Sequence, residues 1–210
     1  MTPVNAQAVT EKGGETRQRI IDAAADCFMQ RGYAGTSMSD LIAAAGLTKG
    51  GFYFHFASKR DVAVEVVRTR QEAMRAEVFA TAGEHDRAAD QIVAMVRALP
   101  GAIQSKMGGG VAGLERFCKD LVLAGADDPA VVQPLRPWVD TTEQLFRRAQ
   151  EQGDMTKDVD ARTAAVLAVG TFCGLEDLAR GNPDTSEALG MTVDEYLTFI
   201  ARAVGLSLDL

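Results

Sequence analysis

Nowhere in the 210-residue chain do about eighteen apolar residues follow one another, so no membrane-spanning helix is expected. The N-terminus is polar and lacks an apolar signal region, which predicts a cytoplasmic protein. Cysteine is scarce: Cys27, Cys118 and Cys173 are odd in number, far apart and set among apolar residues on predicted helices. That pattern predicts buried reduced thiols rather than a disulfide or a metal site. Histidine occurs only as His55 and His85, the second in a polar break where solvent exposure is expected. No Gly-x-Ser-x-Gly nucleophile elbow occurs, and Asp154, Asp158 and Asp160 lack the spacing of a calcium loop. Gly108-Gly109-Gly110 follows no strand and precedes no Gly-Lys-Ser/Thr, so it reads as a flexible connection rather than a phosphate loop. No catalytic residue, metal or cofactor is expected, and enzymatic activity is disfavoured.

An excess of positive charge is missing too, since the chain carries a net −7. The charge is unevenly spread, however: residues 1–60 sum to +2 and the remainder to −9. A mildly basic end on an acidic body fits a protein that meets a polyanion at one end only. The low basic count also predicts few phosphate contacts per copy, so useful affinity for DNA would need a dimer.

What the chain does hold is centred on Thr36–Lys59. Ser37 and Asp40 make a capping box ahead of Leu41 and Ile42, and a short helix should run to about Ala45. Gly46 ends it, since glycine reaches left-handed angles without steric cost. Thr48 can cap a second helix over about Lys49–Phe56, with Leu47 and Phe52 spaced as a hydrophobic staple. Ser58 and Asp61 cap a helix from Lys59 to about Ala82. Helix, tight turn and helix is the helix-turn-helix plan, whose second helix enters the DNA major groove. Phe52 and Phe56 should point inward, leaving Lys49, Gly50, Gly51, Tyr53 and His55 outside. Two adjacent glycines cost roughly 1 kcal/mol each in a helix against alanine. They suit a backbone that approaches another surface closely, or else a loose loop.

Gly32-Tyr33, Thr36-Ser37, Ile42-Ala43-Ala44-Ala45-Gly46-Leu47 and Thr48-Lys49-Gly50-Gly51-Phe52-Tyr53-Phe54-His55-Phe56, with Lys59, resemble the DNA-binding domain of TetR-family repressors over about residues 16–65. The resemblance implies DNA contacts, chiefly through backbone, at Thr36, Ser37, Lys49, Gly50, Gly51, Tyr53, His55 and Lys59. Phe54 departs from the histidine or tryptophan common there. The Thr48–Ala63 stretch and the Trp138 region are also similar to the γ-butyrolactone-receptor branch.

Around that centre, residues 1–14 lack periodicity and predict a mobile arm. Thr16–Arg31 carries Ile20, Ile21, Ala24, Cys27 and Phe28 at helical spacing and should brace the reader. Lys59–Ala82 has an end in each predicted domain and can act as a lever. Residues 87–210 read as further helices without strand alternation: Ala88–Leu99 stopped by Pro100-Gly101, Val111–Ala124, Pro137–Gln152, and two last helices, Ala161–Arg180 and one opened by the Thr192/Glu195 box. Pro134 and Pro137 keep 130–137 from being a regular helix interior. The last two helices are apolar over more circumference than one core needs, which points to a partner or to a fully buried pair. The resemblance implies a twofold four-helix interface matching a palindromic operator. Met95, Phe117, Trp138, Phe146 and Phe172 are candidate walls of an apolar pocket, Trp138 serving equally well as plain packing.

The expected fold is all-α with about nine helices: a DNA-binding helix-turn-helix domain over 1–60 and a ligand-binding and dimerisation domain over 61–210. The expected function is that of a homodimeric, nucleoid-associated repressor that binds double-stranded DNA and is released by a small hydrophobic effector. A ligand-responsive activator, or an adaptor keeping a non-binding helix-turn-helix, is the alternative.

Overall fold

Capping chemistry sets most of the helix boundaries in the computed structural model, which describes residues 4–83, 85–104, 110–178 and 190–207. Among these the protein is all-α, as the sequence predicts. Ten helices are present among the described residues: α1 Val4–Arg31, α2 Met38–Ala44, α3 Lys49–His55, α4 Lys59–Ala82, α5 Ala88–Gln104, α6 Gly110–Leu123, α7 Pro129–Val132, α8 Arg136–Gln152, α9 Ala161–Leu178 and α10 Val193–Val204. No strand occurs among the described residues; Met155 and Leu206 form one isolated antiparallel bridge.

The chain divides into two compact units, 1–70 with 116–132, and 71–115 with 133–210. The first therefore takes in more than the 1–60 named from sequence, and both α4 and α6 contribute residues to each unit. In the first unit Ile20, Ile21, Ala24 and Phe28 of α1 are buried, together with Leu41, Phe52, Phe56, Val62 and Val67. Arg17 of α1 pairs with Glu65 of α4 at 2.9 Å, and its guanidinium lies 4.8 Å from the centre of the Phe56 ring. The α6–α7 turn is tied to α4 by Arg60, which donates to the Ala124 carbonyl at 3.1 Å, and by Arg68, 2.7 Å from Asp128.

The second unit surrounds one core in which Val78, Ile92, Met95, Leu145, Phe146, Ala164, Ala165, Leu197 and Val204 are buried. α9 opens on Asp160, whose carboxylate accepts from the Thr163 amide at 2.8 Å. α10 opens on the predicted Thr192/Glu195 box and closes at Gly205, which has a φ of +66°.

Three boundaries differ from expectation. α1 begins at Val4 and runs through Gly13-Gly14, where the sequence predicts an arm. Ala6, Gln7, Ala8, Glu11 and Lys12 are good or tolerable helix formers, and they extend a helix already nucleated by the buried face of 16–31. α5 passes Pro100 and stops at Gln104. Pro100 forfeits one helical hydrogen bond near the end of a helix whose earlier turns are pinned by Ile92, Met95 and Val96. The single turn α7 lies where Pro134 and Pro137 argued against a regular helix. Gly108 and Gly109 of the predicted flexible connection, and Arg180 at the predicted end of the ninth helix, fall outside the described residues.

Candidate functional site

Three local devices present α3. Ser37 caps α2: its hydroxyl donates to Asp40 Oδ2 at 2.6 Å and accepts from the Asp40 amide at 3.2 Å, while the Ser37 amide donates to the same carboxylate at 2.8 Å. These hydrogen bonds, more than Arg31 at 3.0 Å, hold the Asp40 carboxyl below its ordinary value of 3.8. Gly46, with a φ of +63°, closes α2. Thr48 then caps α3 by accepting from the Gly51 amide at 3.2 Å.

α3 sorts its residues as the spacing predicts. Phe52 is fully buried, and Phe56 just past the helix end is buried with it. Lys49, Gly50, Tyr53 and Phe54 are exposed, with Gly51 and His55 partly so. A Cβ at Gly50 would meet nothing within 4 Å, so no neighbour in the protein requires glycine there. Phe54 is 85% exposed and its ring stands edge-on to that of His55, with centroids 5.1 Å apart.

Two of the eight predicted contact residues face inward. Thr36 is 1% exposed, and its hydroxyl donates to the Gly32 carbonyl at 2.8 Å and lies 3.3 Å from that of Cys27. Lys59 donates from Nζ to the carbonyls of Tyr33 at 2.8 Å and Thr36 at 2.9 Å, with the Tyr33 ring 4.2 Å away. The α1–α2 turn leaves these carbonyls without helical partners, and the ammonium satisfies them. Thr36 and Lys59 thus brace the turn rather than project from it. The same turn needs Gly35: a Cβ there would lie 2.3 Å from the Arg31 carbonyl oxygen. From the sequence Phe54 stands out only as a departure from the family pattern, and Gly35 carries no assigned role. The run Gly32-Tyr33-Ala34-Gly35-Thr36, with two glycines and a threonine, was the available signal for a tight turn.

In the second unit Met95, Trp138 and Phe172 come together, with Leu135, Val169 and Cys173, around a cavity of about 50 Å³. Phe146 lines an adjoining one of about 30 Å³. Phe117 is not among these walls. It belongs to the part of α6 in the first unit, where its ring packs 5.2 Å from Phe28. Tyr196 reaches both cavities and donates from its hydroxyl to the Ala168 carbonyl at 2.9 Å. Burial pushes its phenol above the ordinary range. Cys27 and Cys118 are buried and outside any disulfide, whereas Cys173 is half-buried at the cavity wall.

Residues 20–66 match the family model described as bacterial regulatory proteins, tetR family. Residues 20–66 are thus a TetR-family N-terminal domain, and the chain as a whole is similar to TetR-family regulators. TetR-family relatives extend the likeness over most of its length. It is 29% identical over 175 residues to the HTH-type transcriptional regulator SrpR of Pseudomonas putida, a match covering 81% of this chain and 78% of that protein. It is 25% identical over 189 residues to the A-factor receptor protein of Streptomyces griseus, covering 87% of this chain and 61% of the receptor. The chain thus spans less than two thirds of that receptor's length. A TetR regulator from Chloroflexus aurantiacus J-10-FL is 28% identical, with a TM-score of 0.74 over 94% of this chain and all of the other. The matched stretch is the DNA-binding domain of that family, and α2 with α3 is its helix-turn-helix. No helix among the described residues is long and apolar enough to cross a membrane.

Proposed function

We propose that this chain is a homodimeric, sequence-specific repressor, cytoplasmic and nucleoid-associated, that leaves a palindromic operator when a small apolar effector binds. One observation carries the DNA half of the reading: Phe52 of α3 and Phe56 just past its end are buried, which leaves an outer face where Gly50 and Gly51 carry no side chain. Gly50 and Gly51 let that backbone come close to base edges or their flanking phosphates. Lys49, Tyr53 and His55 supply donors for phosphate oxygens, with Ser37 at the start of α2. Thr36 and Lys59 act through the turn they hold. Residues 1–60 make up the DNA-binding domain and 61–210 the ligand-binding and dimerisation domain.

The outer face of α9 supports dimerisation. Val166 and Leu167 are exposed there, Leu167 by 58%, in line with Gly170 and Gly174, whose added Cβ atoms would meet nothing within 4 Å. On α10 Phe199 is 62% exposed. Large apolar side chains beside bare glycines suit the close approach of a second copy's helices. In such a dimer the two α3 helices would reach grooves about 34–36 Å apart. The apolar cavity supports an effector, and the likeness to the A-factor receptor favours a small signal molecule of the γ-butyrolactone-receptor branch. The effector must bind the DNA-incompetent form more tightly, since equal affinity for both forms changes nothing.

Gel retardation with the DNA upstream of the protein's own gene, using wild type and L167E, tests the reading. Wild type should sediment as a dimer and shift one discrete band; L167E should sediment as a monomer and lose at least tenfold in affinity. Absence of any shift would point instead to an adaptor that keeps a silent helix-turn-helix. A dimeric L167E with undiminished affinity would refute the α9 interface.

A further inference from the structure

Phe54 is 85% exposed, so its apolar ring is left in water. It follows Gly51 by three residues and Gly50 by four, which sets the ring on the same stripe of α3 as the two glycines. Phe52 and Phe56, two residues to either side and about 200° round the helix, are both buried. The ring therefore projects from the middle of the outer face. Its T-shaped contact with His55, at an interplanar angle of 89° and 5.1 Å between centroids, limits how it can turn.

A Cβ at Gly50 would meet no protein atom within 4 Å. With no side chain on either glycine, the helix can sit deep enough for the Phe54 ring to reach base edges rather than stop at the phosphates. α3 holds no acidic residue to oppose that approach, and Lys49 is exposed at its start. Tyr53, 42% exposed, keeps a hydroxyl for a phosphate oxygen; Phe54 has none to offer.

Base edges in the major groove present donors and acceptors, and the apolar group among them is the 5-methyl of thymine. Set against any other edge, the ring would strip water from a polar atom and give nothing back. We propose that Phe54 is a specificity-determining residue of the DNA interface. Its ring packs on a thymine methyl, one thymine for each copy of the chain on the duplex. Such a contact adds sequence preference without adding salt dependence, because it displaces no counterion.

This inference rests on the DNA-binding reading, and its test separates the two. Full-length wild type is used to select duplexes from a random-sequence pool. The common sequence recovered is resynthesised with deoxyuridine in place of thymine at each position in turn, which removes the methyl group and keeps the pairing edge. At one position in each half of the site, wild type should bind the uridine duplex roughly three- to fivefold more weakly. F54A should bind the thymine duplex more weakly and no longer distinguish uridine from thymine there. Its salt slope and melting temperature should match wild type. Wild type indifferent to every replacement would overturn the proposal. So would F54A that keeps the methyl preference, since another residue would then read it. Recovery of no common sequence by wild type would refute the DNA reading and this inference with it, whereas a common sequence without methyl dependence refutes the inference alone.

Discussion

Replacing Lys59 by methionine keeps most of the aliphatic stem and removes the ammonium that reaches the Tyr33 and Thr36 carbonyls. Hydrogen bonds from a charged donor are worth about 1.5–3 kcal/mol, and solvent screening at this half-buried site lowers that. K59M should therefore lose about 1–2 kcal/mol of stability, read as a lower urea midpoint at unchanged slope. A Lys59 that served only to clamp phosphate would behave differently: the midpoint would hold and the salt dependence of DNA binding would fall by about one contact. The lysine's inward role was not legible in the sequence, because its partners lie 23 and 26 residues earlier and belong to a turn whose shape is set by tertiary packing. Its place at the head of a helix beside a DNA reader suggested phosphate instead. Phe117 misled for the same reason. Its apolar spacing marks a buried face, but nothing local says which of two cores that face meets.

At the scale of single helices the sequence was far more informative, because caps act over three residues. The Ser37/Asp40 and Thr192/Glu195 boxes, the Thr48 cap and the Gly46 stop all form where the spacing puts them. The ends that surprise, Val4 and Gln104, are ones without a cap signal, where tertiary support or plain helix propensity decides. The boxes carry a pH consequence. Bonds from Ser37 lower the Asp40 pKa, bonds from Thr192 lower that of Glu195, and bonds from Thr163 lower that of Asp160. Depressed folded-state values mean that the unfolded chain binds protons more readily. The stabilisation is present above the ordinary carboxylate values of 3.8 and 4.5 and is lost as pH falls through them to the folded values. The melting temperature of wild type should drop on going from pH 6 to pH 3. In the D40N/E195Q variant it should start lower at pH 6 and drop less. Parallel pH profiles for the two proteins would contradict this role for the boxes.

For the whole molecule, the division of labour rests on what each unit leaves uncovered. The first leaves the Lys49–Phe54 face of α3, and the second leaves Val166, Leu167 and Phe199. The sequence conveyed the first surface because two adjacent glycines lead into a run of aromatics within one short helix. It conveyed the second only as excess apolar circumference on α9 and α10. The cavity was half legible: Met95, Trp138 and Phe172 converge as anticipated, whereas Phe117 packs in the core of the other unit.

Everything else in the functional reading depends on α3 coming close to the duplex, and G50A tests that most directly. Gly50 is exposed, and a Cβ there meets no protein atom. Alanine should therefore stabilise α3, by up to about 1 kcal/mol. Operator affinity and the thermal melt are measured together on wild type and G50A at fixed salt. The predicted result is a melting temperature equal to or above wild type, with operator affinity down at least tenfold because the new methyl group stands between backbone and groove. Unchanged affinity in the equally stable variant would contradict close approach and remove α3 as the reading element.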